Sequence, residues 1–250
     1  MKQFLIFILI LMAMNVNNNA QSITIAAAAD LRNAMGELVK TYKETNPDAK
    51  IETIFGASGN FYQQIVNKAP FDMFFSADHN FAVKLKDQGL TVGEPKVYAI
   101  GHLVLWSSTL DISKGLDILK SDKVNKISIA NPEVAPYGKR AMECLTYYKL
   151  DKAVKDKIVK GDNVSQAAQF VLTGNAEVGL IALSLALSPE MSTKGKYFLI
   201  DQKSYSQLDQ SFVILKQAEN NKEVGKFVKF LDSGNARKIF SKFGFNPPEQ

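Results

Sequence analysis

The 250-residue sequence predicts an α/β fold built on parallel sheets, and three observations predict it. Strand-like apolar runs alternate with segments whose apolar residues return at helical spacing, the pattern of sheets covered by helices on both faces. The junctions between them are short and rich in Gly, Ala and Ser. The composition, 46% apolar and 22% charged, is that of a globular chain long enough for one large domain or two small ones.

Residues 1–20 stand apart as a secretory signal peptide. Lys2 supplies the positive charge, Phe4 to Met14 is uncharged, and "NVNNNA" ends in a small residue before Gln21, although Asn18 occupies a position where alanine is usual. The run is shorter than the about 20 residues of a membrane span. No Cys follows it, so a lipid anchor is not expected, and no later segment is long enough to cross a bilayer. An exported, soluble protein is expected.

The elements then follow in order. "SITIAAAA" reads as a strand, and Met35, Leu38, Val39 and Tyr42 mark a helix from Leu31. "KIETIFGA" is the next strand, with a helix from about Asn60, and "FDMFFSA" is a buried strand. "VYAIGHLVLW" reads as one long strand and "KISIAN" as another; a helix follows Pro136 with Ala141, Cys144, Leu145 and Tyr148 on one face. "SQAAQFVLTGN" is a helix ended by Gly174, opened by "GDNVSQ" without an obvious strand before it. Strands "EVGLIAL", "KYFLI" and "SFVIL" precede two closing helices, "EVGKFVKFL" and "NARKIFSKF". There is no internal repeat, and two lobes, if present, must be joined by strands that cross between them.

In such sheets ligands sit beyond the carboxyl ends of the strands, near helix N-termini. The turns "AAADLRN", "GASGN" and "NPEVAPYGK" belong to that class. "GASGN" admits two readings. Ser58 can cap the helix that follows, or bare backbone can approach an anion that meets unpaired N–H groups and the positive end of the helix dipole.

Several chemistries lack their parts. His79 and His102 have no ligand-spaced partners, and "GASGN" is not the G-x-S-x-G elbow of a serine hydrolase. The single cysteine, Cys144, excludes an internal disulfide and sits on an apolar helix face, where it reads as core. Asp72 and Asp78 flank a strand end, where capping and turn roles account for them. A P-loop is missing, so transport cannot be driven by an ATPase of this chain. The +5 charge is spread among Asp and Glu without a basic stripe, which argues against nucleic acid. A non-enzymatic binding protein is expected.

The ordered set "AAADLRNAM", "FGASGNFYQQIVNKAPFDMFFSAD", "NPEVAPYGKRAMECL", "GDNVSQAAQFVLTGNAEVGLIALS" and "KFLDSGNARKIFSKFGF" resembles the molybdate-binding proteins of bacterial ABC transporters over nearly the whole mature chain. The resemblance implies a two-lobed periplasmic binding protein, each lobe a mixed, mostly parallel sheet flanked by helices, with a tetrahedral oxyanion held in the cleft by N–H groups and hydroxyls. Lobe one would comprise residues 21–101 and 213–250, and lobe two residues 102–212. The ligand would be molybdate or tungstate, without a cofactor or direct metal-ion ligands. The partner would be a membrane permease with a separate ATPase, and a monomer is expected. The alternatives are another oxyanion, such as sulfate, thiosulfate or phosphate, and an exported hydrolase using Ser58.

Residue by residue, the resemblance implies oxyanion contacts at Ala29 or Asp30, Ser58, Tyr137 and Val164. The first turn has lost the hydroxyl that many members place there, and Asp30 would repel an anion, so its side chain is expected to turn away and cap its helix. Some members add a tyrosine hydroxyl where this chain has Ala182; Ser184 or the Tyr137 hydroxyl would stand in for it.

Overall fold

The structure, a computed structural model, describes residues 21–248; the expected signal peptide lies outside the described residues. Its ten strands form two five-stranded sheets. The first contains β1 (Ile23–Ala28), β2 (Ile51–Gly56), β3 (Met73–Ser76), β4 (Thr91–Gly101) and β10 (Leu208–Leu215), in the order β2-β1-β3-β10-β4. The second contains β5 (Leu103–Ser107), β6 (Ile127–Ala130), β7 (Ile158–Gly161), β8 (Val178–Ala182) and β9 (Lys196–Leu199), in the order β7-β6-β8-β5-β9.

Both sheets follow one plan. Three parallel strands are extended by two antiparallel ones, so each sheet has two parallel and two antiparallel pairings. The sheets are mixed as expected: four of the five strands in each run in one direction and one runs against them. The physical reason lies in the crossings: β5 and β10 each enter their sheet from the other one, and so run against the strands beside them.

The expected long strand "VYAIGHLVLW" is two strands. At His102 the chain leaves the first sheet, and the His102 carbonyl accepts the Leu183 N–H at 2.9 Å instead of joining a ladder. The chain returns between Leu199 and Leu208, and β10 pairs with the first sheet from Leu208 onward. A division at residue 212/213 therefore falls inside a strand, because Asp209 and Gln210 disguise its start in the sequence.

Strand β7, unexpected from the sequence, precedes "GDNVSQ"; it is four residues long and includes the exposed Lys160, which breaks its apolar pattern. Helix α4 (Pro136–Tyr147) buries Ala141, Cys144 and Leu145, but Tyr148 is its C-terminal cap and lies exposed. Helix α5 (Val164–Leu172) ends before Gly174, whose φ of 76° takes the left-handed conformation that glycine permits.

Alternation along the central strands gives the first sheet two cores. Met73 and Phe75 face α1 (Arg32–Thr45), α8 (Lys222–Leu231) and α9 (Gly234–Lys242), where Leu38, Tyr42, Phe227 and Phe240 pack. Phe74 faces α2 (Ser58–Val66) and α3 (His79–Asp87), with Phe61, Ile65 and Leu85. The core of the second sheet is larger and includes Ala28, the last residue of β1, and Ala29, Ala57 and Ala77, which lie just past strands of the first sheet. Small residues thus line the seam where the two sheets meet.

Candidate functional site

Most described helices start on a side-chain cap. Asp78, Asn163 and Asn221 cap α3, α5 and α8, while Ser233 caps α9 and Ser188 caps the short α7 (Pro189–Lys194). Helix α1 and the four-residue helix Leu183–Ala186 lack one, and α2 and α4 do not have one either. Their cap positions are Ala57 and Ala135, which have no acceptor to offer. The first turns of an α-helix leave N–H groups without intrahelical partners, and α2 and α4 direct theirs at the seam between the sheets.

Glycines bring these turns close. A Cβ on Gly138 would lie 2.1 Å from the Ala130 carbonyl oxygen, and one on Gly161 would lie 2.7 Å from the Ala167 nitrogen. Each glycine lets its helix or strand end press against the neighbouring backbone. Gly59, in the first turn of α2, donates its N–H to the Val134 carbonyl across the seam at 2.9 Å.

The structure brings the five predicted residues to this seam, all of them buried. Ala29 and Asp30 form the 3-10 turn Ala29–Leu31 after β1. Ser58 opens α2 but is not its cap; its Oγ accepts the Ala77 N–H at 3.1 Å, tying α2 to the loop after β3. The expected cap is thereby corrected: the hydroxyl braces the turn from which the helix departs. Tyr137 is in the first turn of α4, and Val164 is the first residue of α5. Asn163 accepts the Gln166 N–H at 3.1 Å, which leaves the Val164 and Ser165 N–H groups at the open end of the helix.

Asp30 corrects an expectation. Neither the 3-10 turn nor α1 has a side-chain cap, so the carboxyl does not turn away. It is fully buried and faces the Tyr137 hydroxyl and the Gln210 amide. None of these groups reaches hydrogen-bond geometry: both Asp30 oxygens, the Tyr137 hydroxyl and Gln210 Nε2 lack partners among the described residues. Burial outweighs the hydrogen-bonding groups nearby and pushes the Asp30 pKa up to about 7. The same burial, with Asp30 adjacent, holds the Tyr137 and Tyr98 phenols well above the ordinary value.

Sequence reasoning missed the contacts that hold the sheets together. Ser165 donates its hydroxyl to the Ala29 carbonyl at 2.8 Å. Ser184, in the short helix α6 (Leu183–Ala186), donates to the Asp30 carbonyl at 2.8 Å, so it braces the first turn across the seam. Asp78 caps α3 as expected, and its second oxygen pairs with Arg140 of α4 at 3.2 Å. Arg140 also binds Glu143 at 3.2 Å and is the one buried basic residue among the described residues. A groove of about 550 Å³ opens beside this pair, lined by Phe81, Lys84, Pro132 and Lys139 among others. Cys144 is buried with its thiol pushed up to about 11 by burial, which makes it inert core.

Two α/β sheets joined by two crossings, with helix starts from both aimed at one seam, define the two-lobed class of solute-binding proteins. The chain belongs to the bacterial extracellular solute-binding protein family, whose model matches residues 23–246. It is 36% identical over 228 residues to the molybdate-binding protein ModA of Azotobacter vinelandii, covering 90% of each chain. The solved periplasmic molybdate-binding protein of Azotobacter vinelandii superposes with a TM-score of 0.85 at 29% identity, covering 91% of this chain and all of that one. The sulfate-binding protein SubI of Mycobacterium tuberculosis superposes with a TM-score of 0.72 at 14% identity, covering 92% of this chain and 88% of that one, a likeness of fold alone.

Proposed function

We propose that this protein captures molybdate, and tungstate with it, in the seam between its two sheets and delivers the anion to a membrane permease driven by a separate ATPase. It would do so as a monomer in the periplasm, after removal of residues 1–20. The observation that carries the reading is the pair of helices, α2 and α4, begun on alanine and aimed at one seam from opposite sheets.

Such a site suits a dianion that must be released. Several N–H dipoles fixed in a dry cleft bind an oxyanion strongly. A free Lys or Arg would add affinity at the expense of selectivity and release. The one buried arginine is committed to Asp78 and Glu143. The anion would be met by the backbone at Ala29 and Asp30, by the N–H groups of Ser58, Tyr137 and Val164, and by the Ser58 hydroxyl. The resemblance to the Azotobacter protein supports molybdate among tetrahedral anions. A hydrolase built on Ser58 loses support, because among the described residues its Oγ is bonded by the Ala77 N–H and by no histidine that could serve as its base.

A thermal-shift panel tests the ligand. A ligand present at 100 times its Kd stabilises by about 2.7 kcal/mol, and each kcal/mol raises the melting temperature of a chain this long by about 2–4 °C. Micromolar molybdate and tungstate are expected to raise the melting temperature by about 5–10 °C, and sulfate and phosphate weakly. Equal or larger shifts with sulfate or phosphate overturn the ligand.

Ser58→Ala is expected to weaken molybdate binding by about 1.5–3 kcal/mol, the range for a hydrogen bond to a charged group. It also leaves the buried Ala77 N–H without its acceptor, which costs the ligand-free protein about 1–3 kcal/mol. Calorimetric titration with unchanged affinity removes the Ser58 hydroxyl from the site.

A further inference from the structure

The seam holds one group that the proposed function leaves unexplained. Asp30 puts a carboxyl into the region where an anion would sit, beside helix starts arranged for negative charge. Its turn packs against α1, α5, α6 and β2, and the groups that face its carboxyl reach in from other elements. They are the Tyr137 hydroxyl from α4, the Gln210 amide from β10 and the Tyr98 ring from β4, while Ser184 from α6 binds its carbonyl. All are uncharged. The arginines on adjoining elements point elsewhere, Arg140 to Asp78 and Arg32 over the Phe55 ring at 4.7 Å.

An ionised carboxylate in that place would be buried without a cation and would face a dianion. Like charges in a shared site force one of them to take up a proton, and an unpaired buried charge is costly in itself. We propose that Asp30 is the protonated acid whenever the cleft is closed on its oxyanion, so that capture takes up one proton and Asp30 acts as a neutral hydrogen-bonding group within the site. A turn with a carboxylic acid can then accept a fully ionised oxyanion where an ionised side chain would refuse it. Burial already holds the pKa at about 7 without an anion, and a bound dianion raises it further. In an open cleft water reaches the carboxyl and returns it toward its ordinary value. Asp30 is thus a specificity-determining residue, and affinity is tied to pH. This inference rests on the proposed function, since it takes the seam as the oxyanion site.

Calorimetric titration of the full mature protein with molybdate, near neutral pH in two buffers of different ionisation enthalpy, tests it. The expected result is uptake of about half a proton or more per anion at pH 7, rising toward one at pH 8. Between about pH 6.5 and about pH 8.5 the affinity falls by up to about tenfold per pH unit. Asp30→Asn, which has an amide donor at every pH, is expected to bind without proton uptake and with a flat pH profile. Should that variant fail to fold, the wild-type proton count alone decides. Molybdate bound with no proton exchange and no pH dependence overturns the role of Asp30 and leaves the proposed function standing. Preference for phosphate, with no proton taken up by the protein, places the proton on the anion and also overturns the proposal. Absence of molybdate binding at any pH overturns the proposed function and this inference with it.

Discussion

Replacing Gly138 with alanine is expected to cost the ligand-free protein about 3 kcal/mol, the upper end for forcing extra volume into packed structure, and to remove its stabilisation by molybdate. The new Cβ would sit 2.1 Å from the Ala130 carbonyl oxygen, 2.7 Å from the Ala130 carbonyl carbon and 2.9 Å from that of Asn131. All three are backbone atoms at the end of a central strand, which cannot rotate aside as a side chain would. The first turn of α4 must retreat, and with it go Tyr137 and the N–H groups that converge on the seam. Hydrogen bonds weaken steeply once angle and distance are lost, so binding falls by more than stability does. Gly225→Ala in α8 is the control, since nothing lies within 4 Å of its Cβ position. It is expected to gain up to about 1 kcal/mol from helix propensity. Urea denaturation and the molybdate thermal shift read both variants. A Gly138→Ala protein as stable and as responsive as wild type would remove the close approach from the argument.

The fold was legible wherever one period dominated. "FDMFFSAD" reads as a buried strand because Met73, Phe74 and Phe75 serve cores on both sides of it. Strand β7 was not, because Lys160 interrupts a run of only four residues. The break at His102 was hidden as well, since nothing local in "AIGHLV" says that the chain changes sheets there. The site was half legible. The alanines before Ser58 and Pro136, in a chain that caps five of its nine described α-helices with Asp, Asn or Ser, are a signal that sequence can show: a long helix begun on alanine keeps its N–H groups for something else. Asp30 was misjudged because capping is the ordinary use of an aspartate after a strand, and only tertiary contact reveals that Tyr137 and Gln210 enclose it. The Asp78–Arg140 pair joins residues far apart in the chain, and neither position carries a local mark of the other.

Asp30→Asn is expected to stabilise the ligand-free protein by about 4 kcal/mol at pH 8 and to change its stability little near pH 4. The folded-state pKa of Asp30 is raised from 3.8 to about 7 by burial. Between those values the folded protein holds a proton that the unfolded chain has released, so stability falls as pH rises. The contribution of the neutral acid is therefore complete below about pH 4 and is lost as pH climbs to about 7. Each unit corresponds to about 1.4 kcal/mol, which sets the size of the effect. Asn has the shape of the protonated acid and nothing to ionise, so its stability lacks this slope. Separation of the sheets offers the wild type another escape, because water then reaches the carboxylate; the cost is limited to the free energy of closure. In that case wild type at pH 8 is more expanded in small-angle scattering than Asp30→Asn, and the two match near pH 5. Urea denaturation across this range measures the slope directly. A difference between the proteins that stays constant from pH 4 to pH 8 means that Asp30 is already ionised in the folded state, hydrated or paired there, and its burial in the seam is not what governs its proton.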